Sequence, residues 1–140
     1  MDDLFSKIKN FNDNISKWDV SNVTSMKNTF KGCFSFNQKL NRWNTKNVQS
    51  MYGMFKNTYN FNQNIGNWNV EKVTDMSYMF QNSLRFNKKL SGWNTSQVKF
   101  MDHMFDNAKN FNQDITRWYL NSVISMKFMF YYAYSFNQDI

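Results

Sequence analysis

The sequence predicts an α/β repeat: a right-handed solenoid with short parallel strands on one face and short helices or 3-10 turns on the other. Three observations predict it. Tryptophan recurs at Trp18, Trp43, Trp68, Trp93 and Trp118, a strict period of 25 residues. Periods of roughly 20–50 residues mark stacked units that cannot bury an apolar face alone. Apolar and polar residues alternate around each tryptophan, as in Trp68-Asn69-Val70. That alternation fits a short half-buried strand, because successive side chains point to opposite faces. Beyond each strand the apolar spacing changes to three and four, as at Met101, Met104, Phe105 and Ala108, which would form one face of a helix. The 140 residues then divide as one domain into an N-terminal half-repeat cap (1–10), five units (11–35, 36–60, 61–85, 86–110, 111–135) and the start of a sixth (136–140).

The cap is read from Met1, Leu4, Phe5 and Ile8, which are in phase with Met26, Thr29, Phe30 and Cys33 but carry a more charged surface. Each unit opens on Phe-Asn, at Phe11, Phe36, Phe61, Phe86 and Phe111, and again at Phe136. An asparagine repeated beside a core phenylalanine predicts a buried ladder, in which side-chain amides satisfy turn backbone of the next coil. The alternative is an exposed turn asparagine chosen for positive φ. Ile65, Trp68 and Val70 then follow the L-x-x-L-x-L skeleton of leucine-rich repeats, with Trp68 and Val70 facing inward. Asp75, and Ser25, Ser50 and Ser125, precede the methionines and could cap the following turn, a rule that Phe100 breaks. The copies also alternate in pairs: Val20, Thr45, Val70, Thr95 at one level and Ile15, Leu40, Ile65, Leu90 at another. This suggests duplication of a 50-residue unit.

Composition excludes several classes of function. The net charge is +7, but the lysines are scattered along the sequence. Lys27, Lys31, Lys56 and Lys127 fall on the helical side, and Lys39, Lys88 and Lys89 in a connection. A nucleic-acid footprint should cluster on one face, so the charge is read as solubility or mild attraction to acidic surfaces. Cys33 is the only cysteine, which rules out an intrachain disulfide and suggests a small core filler. No apolar run reaches the ~18–20 residues of a membrane span. Met1–Asn10 carries Asp2, Asp3, Lys7 and Lys9 where a leader would have an apolar core. His103 is the only histidine, and Asp102, His103 and Asp106 come closest to a metal-binding cluster. They are read as a solvated face, since nothing nearby in the sequence supports a ligand set. No Gly-rich phosphate loop, Cys-x-x-Cys or His-Glu-x-x-His occurs. The chain is therefore read as a non-enzyme with no cofactor and no metal. Its Trp and Phe columns are read as core, not as base-stacking platforms.

The string Phe61-Asn-Gln-Asn-Ile65-Gly-Asn-Trp68-Asn-Val70-Glu-Lys-Val73-Thr-Asp-Met76-Ser-Tyr-Met79-Phe80 resembles the BspA-like leucine-rich surface-protein repeat, the 25-residue type of mycoplasma surface proteins. The resemblance covers the whole chain and is fullest at Phe61–Phe80 and Phe11–Met26. The even copies depart from it at Trp43-Asn44-Thr45 and Trp93-Asn94-Thr95, and the lipobox cysteine of family lipoproteins is missing. It implies a leucine-rich-repeat-like solenoid used for adhesion or protein recognition at a cell surface. The alternative is a structural component of a larger assembly, such as a virion or an end-to-end oligomer, with a virion or intracellular location. The partner is then a protein, or a second copy meeting the C-terminal end. The contact residues are expected to be Arg117, Tyr119, Phe128, Tyr131, Tyr132 and Tyr134, with Lys17 and Arg42 in the Arg117 column. Arg and Tyr are enriched where interfaces carry most of their energy.

Overall fold

The computed structural model describes all 140 residues, Met1–Ile140. It contains no helix, no 3-10 segment and no strand. Only isolated parallel bridges occur, Ser25–Ser50, Ser50–Asp75, Asp75–Phe100 and Phe100–Ser125. The predicted α/β repeat, with strands at the tryptophans and helices after the methionines, is thereby overturned. The backbone is a succession of tight turns, and each turn of chain is hydrogen-bonded to the one that follows it in sequence.

The helix fails for a local reason. Met101, Met104, Phe105 and Ala108 all lie fully buried, as their spacing requires. Between them, however, His103 (φ 54°) and Asn107 (φ 55°) take left-handed conformations. The same two positions are left-handed in the other coils, at Asn28 and Gly32, Gly53 and Asn57, Tyr78 and Asn82, and Phe128 and Tyr132. A right-handed helix cannot pass through such residues. The backbone N–H groups instead alternate between two uses. Those of Thr29, Lys31 and Cys33 close turns on Met26, Asn28 and Phe30. Those of Met26, Asn28, Phe30 and Gly32 donate across to the carbonyls of Ser50, Tyr52, Met54 and Lys56 at 2.8–3.0 Å. Gly53 is the one glycine at the first of these positions. A Cβ there would crowd Asn28 Oδ1, the free end of a side chain in the preceding coil. Asp75 caps no helix but accepts Ser77 N–H at 2.9 Å within one of these turns.

The strand fails because turns capture its donors. Trp68 N–H donates to Ile65 C=O at 3.1 Å and Val73 N–H to Val70 C=O at 2.9 Å. Asn69 Oδ1 accepts Glu71 N–H at 3.0 Å. Short polar side chains make the same bond from Asp19 to Ser21 and from Asn94 to Ser96. They offer the backbone an alternative to a ladder. Ile65, Trp68 and Val70 still point inward and are buried.

One continuous core runs through the stack. Phe30, Phe55, Phe80, Phe105 and Phe130 form a column with rings 5.5–5.7 Å apart. Within a coil each meets a partner from a second column, as Phe55 meets Phe61 at 4.0 Å. Trp43, Trp68, Trp93 and Trp118 are buried, and their indole N–H groups donate to the carbonyls of Ile15, Leu40, Ile65 and Leu90 in the preceding coil at 3.0–3.1 Å. Trp18 departs from the inward reading of the column. It is 46% exposed, and no carbonyl of the described residues accepts its indole N–H. Cys33 is buried, and its thiol donates to Phe5 C=O. Thr58 and Ser83 make the equivalent bond to Phe30 and Phe55 C=O. The alternation in pairs also acquires a cause. Thr45 and Thr95, both buried, donate to Asn69 and Tyr119 C=O in the next coil.

The asparagine ladder forms, but at the surface. Asn12 Oδ1 accepts Asn37 N–H, Asn37 Oδ1 accepts Asn62 N–H, and the series runs through Asn87 and Asn112 to Asn137 at 2.9–3.0 Å. The expectation that these amides are buried is corrected.

Candidate functional site: an aromatic flank

Tyr78, His103 and Phe128 occupy the first left-handed position of three successive coils. That conformation turns their side chains out of the core and places them one above another. Tyr78 stacks on His103 at 4.8 Å and His103 on Phe128 at 5.1 Å. Tyr52 extends the row, tilted, 5.4 Å from Tyr78. At the other end Phe128 meets the edge of Tyr131 at 5.8 Å, Tyr131 lies 4.0 Å from Tyr132, and Tyr132 lies 5.8 Å from Tyr134. The result is an unbroken run of seven rings along one flank, ending in a cluster whose most open member, Tyr134, is 74% exposed. The hydrogen bond between Tyr131 and Tyr132 raises the Tyr131 hydroxyl above its ordinary value.

Polar groups beneath the row fix the rings. Asp106 is buried; its Oδ2 accepts Gln81 Nε2 at 2.6 Å and meets His103 Nδ1 at 2.9 Å. Beside it Asn57, Asn82 and Asn107 link their amides in series at 2.6 and 2.7 Å. Lys56 lies over the Tyr78 ring at 4.5 Å, an attractive placement for a cation on a π face. Burial, and then the neighbouring Lys31, lowers its ammonium below the usual lysine range. Asp102 is turned away from this group. Its Oδ1 accepts Lys127 N–H at 2.7 Å and the Ser125 hydroxyl in the next coil. Asp102, His103 and Asp106 thus do not converge on a common point, and no grouping of His, Cys, Asp and Glu able to hold a metal ion occurs.

Residues 1–82 and 60–140 each match the family described as "Mycoplasma protein of unknown function, DUF285". The chain belongs to that family. Together the two matches span the whole of it. No curated protein and no solved structure matches. No helix of this DUF285 protein is long and apolar enough to cross a membrane.

The contact residues expected from the sequence separate into two groups. Phe128, Tyr131, Tyr132 and Tyr134 come together on the flank. Tyr119 is 59% exposed but pairs with no other ring, and its backbone is held by Thr95 instead. Arg117, Lys17 and Arg42 are exposed in the turn before each tryptophan. Arg117 follows a turn in which Thr116 N–H and hydroxyl both donate to Asp114 Oδ1, and those bonds hold that carboxyl below its ordinary value. Sequence reasoning missed Tyr52, Tyr78 and His103 as members of the row. The available signal was the column Asn28, Gly53, Tyr78, His103, Phe128, which becomes aromatic toward the C-terminus. It also missed a hollow of about 230 Å³ lined by Lys7, Lys9, Lys31, Gly32, Phe34 and Asn57. Lys7 and Lys9 of the first coil and Lys31 of the next meet there.

Proposed function

We propose that the chain is a non-enzymatic module for protein recognition or adhesion at a cell surface, with the aromatic flank as its contact face. The observation that carries this reading is the continuous ring row from Tyr52 to Tyr134. Tyrosine supplies a large contact area at low entropic cost, and exposed aromatic surface of this extent marks interaction sites. Stacked rings seated on hydrogen-bonded Asp106 and His103 lose little further freedom when a partner binds. The resemblance to BspA-like surface proteins supports the cell-surface setting. The non-enzymatic reading rests on what the titratable groups are engaged in: Asp102 and Asp106 hold neighbouring coils and the Cys33 thiol is buried.

The test is retention of the purified chain on surfaces coated with cell-surface protein, nucleic acid or lipid. Retention is expected on protein alone, weakened about tenfold or more when Phe128 and Tyr131 are both changed to Ser. An Arg117→Ala, Tyr119→Ala variant probes the other group of exposed residues. Retention on DNA or RNA that falls steeply with salt, or protein binding indifferent to the flank substitutions, would overturn the reading.

A further inference from the structure

The hollow lined by Lys7, Lys9, Lys31, Gly32, Phe34 and Asn57 exists because one side chain is missing. The second left-handed position is Lys7, Gly32, Asn57, Asn82, Asn107 and Tyr132 in successive coils. Gly32 leaves a gap between Lys7 and Asn57, and that gap is the hollow of about 230 Å³. A Cβ at Gly32 would come no closer than 3.5 Å to the neighbouring coil, so the space is open. Lys7 and Lys9 bound it on one side and Asn57 on the other. A further coil would stack beyond Lys7 and would not cover Gly32. Every polar side chain of the lining is free to donate. The only charged pair in the chain is His103–Asp106, so Lys7, Lys9 and Lys31 have no carboxylate partner. Asn57 Oδ1 is taken by Asn82 Nδ2 at 2.6 Å, while Asn57 Nδ2 donates to nothing within the chain. Phe34 is held between Lys9 Nζ, 5.7 Å from its centroid, and the Tyr59 ring, 4.6 Å away. With both faces engaged it offers its edge, the positive rim of an aromatic quadrupole. The lysine stems supply further apolar wall, as the stems of long basic side chains do.

We propose that this hollow binds an aryl anion, a single aromatic ring carrying a phosphate, sulfate or carboxylate group. An apolar cavity of about 150 Å³ accepts benzene, so the larger space here takes one ring together with its charged substituent. The ligand ring lays its face on the Phe34 edge, the T-shaped arrangement that aromatic pairs favour. Its anion then meets three ammonium groups and the Asn57 amide, and charge-assisted hydrogen bonds of this kind are the strong ones. No acceptor in the lining repels it. A bare inorganic anion would leave the apolar wall wet, and a neutral ring would leave the charges unanswered. The hollow lies on the same flank as the ring row, but none of the seven rings of the row lines it. Changing Phe128 and Tyr131 therefore leaves the hollow as it is, and the two readings fail separately.

The experiment is calorimetric titration of the whole chain at low salt with phenyl phosphate, inorganic phosphate and benzyl alcohol. Phenyl phosphate is expected to bind with a Kd of about 1 mM or tighter, about tenfold tighter than inorganic phosphate, and benzyl alcohol to give no binding heat. A blocked tripeptide bearing tyrosine phosphate then separates the sources. Binding as tight as that of phenyl phosphate assigns the aryl anion to a partner's side chain, and weaker binding assigns it to a free small molecule. The deciding variant is Gly32→Asn. Asparagine already holds the same left-handed position at Asn57, Asn82 and Asn107. Its amide would fill the hollow and join their series through the idle Asn57 Nδ2, and the net charge would stay at +7. The variant should be no less stable in urea than the parent, yet lose phenyl phosphate affinity by about tenfold or more. Lys31→Gln, at a half-buried position, should weaken binding while leaving the hollow open. The proposal fails if either variant binds phenyl phosphate as the parent does, if inorganic phosphate binds as tightly, or if the parent shows no binding up to about 10 mM.

Discussion

Removing the indole at Trp68 should cost far more than removing it at Trp18, although the two occupy the same place in the repeat. Trp68 is 3% exposed, packs 6.4 Å from Trp43 and 6.2 Å from Phe55, and donates its N–H to Leu40 C=O at 3.0 Å. Trp68→Ala removes a fully buried ring, which typically costs ~3–5 kcal/mol. It also removes one of the two hydrogen bonds that Leu40 C=O accepts, leaving the turn bond from Trp43 N–H, for ~0.5–1.5 kcal/mol more. Trp18 keeps only about half of its surface from water and its N–H has no partner in the chain. At ~25 cal/mol per Å² over roughly half of a ~200 Å² indole, Trp18→Ala should cost ~2–3 kcal/mol. Trp68→Phe separates the two contributions: most of the apolar area stays and the N–H is lost, so ~0.5–1.5 kcal/mol is expected. Urea unfolding followed by circular dichroism measures all three, analysed with nearest-neighbour coupling because each coil contacts only its neighbours. Equal losses at Trp18 and Trp68, or no loss in Trp68→Phe, would refute the account of the core.

Gly66→Ala should be destabilising by ~1–3 kcal/mol in the same assay, since a Cβ there would stand 2.5 Å from Lys89 C=O in the next coil and force the backbones apart. Asn87→Ala removes one acceptor shared by Asn112 N–H (3.0 Å) and Gln113 Nε2 (2.8 Å), but both donors are open to water, so a loss of only ~0.5–1.5 kcal/mol is expected. Burial pushes the Cys33 thiol up from 9.0 to about 11. The native state therefore holds that proton more tightly than the unfolded chain. The thiol's contribution to stability is full below pH 9.0, and it is lost as pH rises through about 11. Below pH 9.0 a thiol reagent should modify Cys33 only as fast as the chain unfolds, and Cys33→Ser should be well tolerated because Ser83 makes the same bond in its own coil.

The inward residues were legible because burial at fixed spacing leaves a pattern whatever the backbone does between the buried positions. Met101, Met104, Phe105 and Ala108 are spaced as on a helix, yet a chain of turns with left-handed residues at His103 and Asn107 buries the same four. Nothing in Tyr78 or Phe128 announces a left-handed backbone, since bulky side chains rarely adopt it; the residue types that do stand at Asn28, Gly32, Gly53, Asn57, Asn82 and Asn107. The strands were misread for a related reason: Asn69 and Asp19 satisfy turn N–H groups, a local bond that alternation cannot reveal. The surface asparagine ladder was visible because it repeats beside each phenylalanine, but its exposure depends on where the turn lies relative to the core. The flank required knowledge of which left-handed positions stack, and that comes only with the backbone.

The forward-pointing rungs give the molecule an electrical polarity. Strand dipoles largely cancel in an ordinary sheet, but along Met26–Gly32 and its equivalents the peptide dipoles of successive coils align with the long axis. The last coil thus carries partial positive charge on its free N–H groups and the first partial negative charge on its free carbonyls. In solution the chain should orient in an applied field and show electric birefringence.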